Sequence, residues 1–143
     1  MTKIVIKFGG TSVGSIEKII AASKIVKREH DKGINVIVVV SAIAGKTNEL
    51  ISDSQKITEN FNKRELDVLL STGEQVTASL MAGALNEIGI KAKSWMSWQV
   101  PILTEGDHGN ARIINISDKE INSFLEKKGV VVIPGFQGIS KNR

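Results

Sequence analysis

The sequence predicts an α/β fold built on a mainly parallel β-sheet. Apolar runs alternate along the whole chain with stretches of helical periodicity, the pattern of strand–helix–strand units. Val36 to Val40 are five consecutive β-branched residues, which suits a strand covered on both faces. Glycines follow two of the periodic stretches, at Gly33 and Gly89, where a helix ends most easily.

Taken in order, Ile4, Val5 and Ile6 form a short buried strand that stops at Gly9-Gly10. A helix beginning near Ser15 carries Ile16, Ile19, Ile20, Ser23 and Val26 at helical spacing. The β-branched strand runs from Asn35 to Ser41. Thr47 or Asn48 then caps a helix reaching about Asn60. Glu65 to Leu70 is helical, Ser71-Thr72-Gly73 is a break, and a further helix places Met81, Ala84, Leu85 and Ile88 on one face. Lys91 to Trp95, Val100 to Thr104 and Arg112 to Ile116 are strands, with a polar loop from Thr104 to Asn110. Ser117 and Glu120 make a capping box for a helix bearing Ile121, Phe124 and Leu125. Val130 to Ile133 is the last strand, stopped by Pro134-Gly135. It is expected to end the sheet on an exposed apolar edge that favours self-association. The 143 residues suggest one domain, with no repeat, linker or low-complexity stretch.

Composition narrows the function. Nineteen Lys+Arg against 15 Asp+Glu give a net charge of +4, with the signs interspersed as on solvated helix faces, so no nucleic-acid partner is expected. The absence of cysteine excludes disulfides, zinc–thiolate sites and thiol nucleophiles. The chain opens on a strand, not a signal segment, and no apolar run approaches the ~20 residues needed to span a bilayer. The expectation is a cytoplasmic protein without a membrane partner. Aromatic residues are only 4 %, so the core rests on Ile, Val, Leu and Ala.

Ligands of open α/β sheets bind beyond the carboxyl ends of the strands. Three loops occupy that position: Gly9 to Gly14, Ser41 to Lys46 and Pro134 to Ser140. In the first, paired glycines allow positive φ values that turn backbone N–H groups toward an anion. The following helix adds the positive end of its dipole, and Lys7 lies within reach. A plain strand-to-helix turn with a solvated lysine fits the same spacing. In the second loop, Gly45-Lys46-Thr47 has the end of a phosphate-binding P-loop, but Val40 stands where that motif needs glycine. A dinucleotide-binding fingerprint also fails, because the glycines are misplaced and the second strand ends in Ser41, not an acid. Ser71-Thr-Gly-Glu74 reads first as a capping box and second as a ligand site.

These segments together resemble the aspartate kinases of the amino acid kinase superfamily. Lys7-Phe-Gly-Gly-Thr-Ser-Val13 is similar to the family's opening signature. Val40-Ser-Ala-Ile-Ala-Gly-Lys-Thr-Asn48 is similar to its second-strand loop, and Leu70-Ser-Thr-Gly-Glu-Gln75 to its S-x-G-E helix start. Val132-Ile-Pro-Gly-Phe-Gln-Gly138 is similar to its V-x-G-F-x-G turn. The resemblance implies a three-layer αβα sandwich with a mainly parallel sheet, the amino acid kinase or carbamate kinase-like fold. It implies ATP-dependent phosphorylation of the L-aspartate side-chain carboxylate to 4-phospho-L-aspartate, which feeds lysine, threonine and methionine biosynthesis. By the same resemblance Lys7 is the catalytic residue that bridges the transferring phosphoryl group. Phe8, Gly9, Gly10, Thr11 and Ser12 join Lys7 in holding the ATP phosphates. Ser41, Thr47 and Glu74 bind substrate, with the Glu74 carboxylate on the aspartate ammonium. Mg²⁺ accompanies ATP, no protein-held metal site is expected, and a homo-oligomer is.

The family continues beyond G-F-x-G into a G-R-G-G-S-D segment, an adenine-binding stretch and regulatory ACT domains, none of which is in these 143 residues. The expectation is therefore the N-terminal portion of a truncated catalytic domain, inactive alone. A non-catalytic remnant or binding module, and a kinase of another small carboxylate, are the alternative readings. Elsewhere, His30 reads as a solvated cation at a helix end, His108 as part of a polar loop, and Trp95 and Trp98 as packing residues. Arg112 is assigned no ligand.

Overall fold

The computed structural model describes residues 2–140. Its elements are β1 (Lys3–Phe8), α1 (Ile16–His30), β2 (Asn35–Val40), α2 (Lys46–Ile57), α3 (Lys63–Glu87), β3 (Ala92–Ser94), β4 (Ile102–Glu105), β5 (Arg112–Ile116), α4 (Lys119–Glu126), β6 (Val130–Pro134) and β7 (Ile139–Ser140). The main sheet has the order β1-β2-β6-β3, and every neighbouring pair is parallel. A second sheet has the order β5-β4-β7, antiparallel between β4 and β5 and parallel between β4 and β7.

The β2 run of β-branched residues is covered on both sides because alternate residues enter two separate cores. Val36, Val38 and Val40 join Val130 and Val132 under α1 and α3, with Ile19, Val26, Met81 and Leu85. Ile37, Val131 and Ile133 face the other way, against Phe124 and Leu125 of α4 and Trp95. Two helical layers therefore sandwich the parallel sheet, the αβα arrangement. Each fully buried Val, Leu or Ile contributes about 1.5–3 kcal/mol, so both interfaces are needed to offset chain entropy. Trp95 meets the Phe124 ring edge-on at 5.7 Å, in keeping with a packing residue, whereas Trp98 is 57 % exposed.

Several local expectations are corrected. Ser71-Thr72-Gly73 does not break the chain: α3 runs unbroken from Lys63 to Glu87, so Ser71 and Glu74 form no capping box. The Ser71 and Thr72 hydroxyls bond back along the helix, Ser71 Oγ donating to the Val68 carbonyl at 2.8 Å and Thr72 Oγ1 to that of Leu69 at 2.7 Å. Asn62 caps α3, accepting from the N–H groups of Arg64 and Glu65. Helix α2 is entered through Gly45 at φ +86°, with no side-chain cap from Thr47 or Asn48. Asp118, not Ser117, precedes α4, and no side-chain cap bond forms there. Strands β4 and β5 leave the main sheet, and β7 joins them. β6 is an inner strand of the main sheet, flanked by β2 and β3, so it is not the exposed edge; β1 and β3 are. His30 is half-buried, and its Nε2 donates to the Lys128 carbonyl at 3.1 Å, so it ties α1 to the α4–β6 turn. No helix among the described residues is long and apolar enough to cross a membrane.

Candidate active site

Because β1, β2 and β6 are adjacent and parallel, the loops that follow them leave the same edge of the sheet side by side. Backbone hydrogen bonds lace them together. Ser41 N–H donates to the Phe8 carbonyl at 3.1 Å, Ala44 N–H to that of Gly10 at 3.2 Å, and Gly135 N–H to that of Val40 at 2.8 Å. The glycines of the first loop serve this approach in a different way from that expected. Positive φ occurs in glycine only at Gly33, Gly45, Gly89, Gly106 and Gly109 among the described residues, not at Gly9 or Gly10. Gly10 instead lies so near the second loop that a Cβ on it would come within 2.8 Å of the Ala42 carbonyl oxygen, whereas one on Gly9 would meet open space. A tight turn, Ser12 N–H to the Gly9 carbonyl at 2.9 Å, and Lys18 Nζ on the Thr11 carbonyl at 3.0 Å fix the rest of the loop. Ser15 caps α1, its side chain accepting from Lys18 N–H at 3.3 Å.

The middle of α3 presses into this edge. Gly73 packs against the second loop so closely that its Cβ would lie 2.8 Å from that of Ala42. The next residue, Glu74, is 7 % exposed and has its carboxylate toward the same loop, near the Ala42 N–H. Burial raises the Glu74 pKa above the ordinary carboxylate value, and the N–H groups of Glu74 itself and of Ala42 offset this only in part. No cationic side chain among the described residues contributes to that balance. The third loop is tied to the same turn of α3, with Gln137 Nε2 donating to the Ser71 carbonyl at 2.7 Å.

The structure therefore brings together most of the residues singled out from sequence. Phe8 ends β1 with its ring in the core, Gly9, Gly10, Thr11 and Ser12 occupy the first loop, Ser41 begins the second, and Glu74 borders it. Thr47 lies exposed in the first turn of α2, which follows directly on Gly45. Lys7 is at the end of β1 and exposed. It pairs in register with Val39 and so points to the sheet face opposite α1 and α3. No hydrogen bond or ion pair engages its ammonium among the described residues. Sequence reasoning missed three groups. The Ala42 N–H is a backbone donor that no side chain reveals. Phe136 holds a left-handed φ of +58° while 85 % exposed, an arrangement common where loops meet ligands. Gln137 gave no signal beyond its place in a loop. His108 is 2.7 Å from Asp67 of α3 through its Nδ1, which docks the β4–β5 turn. Among the described residues no group of three or more His, Cys, Asp or Glu is placed to hold a metal ion.

The family model of the amino acid kinase family matches residues 2–143. The chain belongs to the amino acid kinase family. It is 49 % identical over 138 residues to the aspartokinase of Geobacillus stearothermophilus, covering 96 % of this chain and 34 % of that protein. The crystal structure of aspartate kinase from Synechocystis superposes with a TM-score of 0.80 at 42 % identity, over 97 % of this chain and 22 % of that one. E. coli aspartokinase III, solved in complex with aspartate and ADP, shares the fold at a TM-score of 0.84 and 20 % identity, over 99 % of this chain and 42 % of that one. This amino acid kinase chain thus spans about a third of the length of the curated aspartokinase it matches.

Proposed function

We propose that this chain carries the phosphate-binding and amino-acid-binding edge of an aspartate kinase. The observation that supports this most is Glu74. A buried carboxylate with a raised pKa and no cation beside it among the described residues, bordering a loop at the strand ends, is suited to a ligand ammonium. In this reading the L-aspartate ammonium pairs with Glu74, and Ser41 and Thr47 complete the polar lining. MgATP lies along the first loop that follows Lys7 and Phe8, with its phosphates on the N–H groups of Gly9 to Thr11, beside the Ser12 side chain, and at the N-terminus of α1. Mg²⁺ arrives on the phosphates as part of the cosubstrate. Lys7, whose ammonium has no ion pair among the described residues, stands near the end of β1, beside the first loop.

The chemistry asks little more of the protein. A β-carboxylate oxygen of aspartate attacks the γ-phosphorus. The bond from that phosphorus to the β–γ bridging oxygen breaks, and ADP leaves with the electron pair. The attacking carboxylate is already ionised, so no general base is required. Positioning and charge neutralisation supply the acceleration. The product is 4-phospho-L-aspartate, an activated acyl phosphate of the kind from which lysine, threonine and methionine synthesis proceeds. A cytoplasmic homo-oligomer is the assembly in which we expect it to work.

The test is a graft in which this chain replaces the segment it matches in the G. stearothermophilus aspartokinase. Glu74→Gln in the graft should raise the KM for aspartate at least tenfold and leave that for ATP within about twofold, the signature of a lost ammonium partner. Lys7→Ala should lower kcat by about 10²–10³, as for other removed charge-stabilising donors. Unchanged aspartate kinetics in Glu74→Gln would overturn the assignment of the amino-acid site.

A further inference from the structure

Gln137 is the residue of this edge that no step above uses, and its hydrogen bonding is half complete. Its Nε2 is 2.7 Å from the Ser71 carbonyl oxygen. A carbonyl can only accept, so the amide orientation is fixed by chemistry: nitrogen toward α3, oxygen away from it. That oxygen, Oε1, is buried and has no hydrogen-bond partner among the described residues. An unsatisfied buried acceptor costs about 1–3 kcal/mol, and native proteins keep few of them without a use. The anchor point matters equally. Ser71, whose backbone carbonyl Gln137 meets, and Glu74 are three residues apart in α3, within one helical turn. Two buried oxygen acceptors thus lie around one turn of α3: the Gln137 amide oxygen, which has no donor among the described residues, and the Glu74 carboxylate, which has no cation among them. Their elements are independent, α3 for one and the β6–β7 loop for the other.

We propose that Gln137 Oε1 is a second acceptor for the ammonium group of the amino-acid substrate, so that α3 and the β6–β7 loop grip that group from two sides. The inference rests on the reading of Glu74 given above. An ammonium has three N–H donors and one positive charge, which matches one carboxylate and one neutral amide oxygen better than either alone. A second carboxylate at position 137 would face the Ser71 carbonyl, and a lysine would repel the ligand. Glutamine satisfies both neighbours: it donates to the helix and accepts from the substrate. The grip also selects for substrates with a free amino group, because an acylated amine has one donor and no charge.

The same graft tests this, with the unmodified graft first shown to release ADP in the presence of aspartate. Gln137→Met should raise the KM for aspartate about tenfold, with the KM for ATP within twofold. Gln137→Glu retains an acceptor and loses the donor to Ser71; it should keep the aspartate KM within about threefold. Gln137→Lys retains a donor to Ser71 and loses the acceptor, and should be the worst of the three. A glutamine that merely fastens the loop to α3 gives the reverse order, with Lys mild and Glu severe, and that result overturns the proposal. So does a Gln137→Met variant that raises both KM values equally. If the unmodified graft folds but does not turn over aspartate, the aspartate kinase reading itself fails, which is a separable outcome. If the graft does not fold, L-aspartate titration of the isotope-labelled 143-residue chain decides instead. Ligand-induced shifts at Glu74 that saturate alike in Gln137→Lys and wild type contradict the proposal, and loss in Lys with retention in Glu supports it.

Discussion

Replacing Gly73 by alanine should destabilise the protein, although the same exchange in a helix interior ordinarily does the opposite. On propensity alone, Gly→Ala in α3 is worth about 0.8–1.0 kcal/mol in favour of the variant. Against this stands the contact with the second loop. A Cβ at position 73 would lie 2.8 Å from the Ala42 Cβ, where carbon pairs prefer about 3.5–4.0 Å. Neither atom can rotate away, because a Cβ is fixed by its backbone. The helix or the loop must shift by several tenths of an ångström, and overpacking of this kind costs about 1–3 kcal/mol. The balance is a net loss of up to about 2 kcal/mol. Gly83, in the same helix, provides the control: a Cβ there would meet nothing within 4 Å, so Gly83→Ala should gain the full propensity term. Equilibrium urea unfolding should therefore move the midpoint down for Gly73→Ala and up for Gly83→Ala at unchanged slope. Ala42→Gly should relieve Gly73→Ala, with a coupling energy of at least about 1 kcal/mol in a double-mutant cycle. If Gly73→Ala stabilises as much as Gly83→Ala, the second loop does not press on α3, and the placement of Glu74 against Ala42 is wrong.

The raised pKa of Glu74 fixes the direction of two pH effects. An acid whose folded pKa exceeds its unfolded value binds more protons when folded, so its contribution to stability is present below the unfolded value of 4.5 and is lost as pH rises through the folded pKa. The ligand-free chain should lose stability across that window, and Glu74→Gln should remove that part of the slope in denaturation measured at a series of pH values. Binding of an ammonium favours the ionised form, so L-aspartate affinity should rise with pH over the same window in wild type and not in Glu74→Gln, by calorimetry. The Asp67 carboxylate receives His108 Nδ1 at 2.7 Å and Gly109 N–H at 3.1 Å. Asp67→Ala should therefore speed amide hydrogen exchange in the β4–β5 turn, residues 106 to 111, and leave β2 and β6 protected; an unchanged turn would refute the docking.

The sequence made the layered fold legible because its strongest signals are local. Val36 to Val40 can only be a strand buried on both sides, and the periodicity of α1 and of residues 81 to 88 marks helices whose partners must lie on that strand. What it concealed depends on contacts distant in sequence. Ser71-Thr-Gly looked like a helix break because each residue disfavours helix interiors. Nothing local tells that Gly73 is there to admit Ala42, which lies in another loop. The same contact turns Glu74 from a capping residue into a buried acid. Ser117 looked like a cap because the spacing to Glu120 fits, yet the chain enters α4 one residue later. The main sheet order was hidden for a similar reason: β6 is the last of its strands in the chain but inserts between β2 and β3. At the candidate site, the motif lysine, glycines and acid were readable as residue types. The Ala42 N–H and the half-satisfied Gln137 amide were not, since a backbone donor carries no letter of its own and an unpaired oxygen is visible only once its surroundings are folded.

The most direct measurement is acceptor selectivity. The graft of this chain into the G. stearothermophilus aspartokinase, supplied with MgATP, would be assayed for ADP release with L-aspartate, L-glutamate, N-acetyl-L-glutamate and carbamate in turn. An edge that offers a buried carboxylate to a substrate ammonium and a cationic strand end to phosphate predicts release with L-aspartate, at least about a hundredfold less with N-acetyl-L-glutamate or carbamate, which have no ammonium, and loss of the aspartate-dependent rate in Lys7→Ala. Equal rates with the N-acetylated acceptor, or an aspartate-dependent rate that survives Lys7→Ala, would contradict the account.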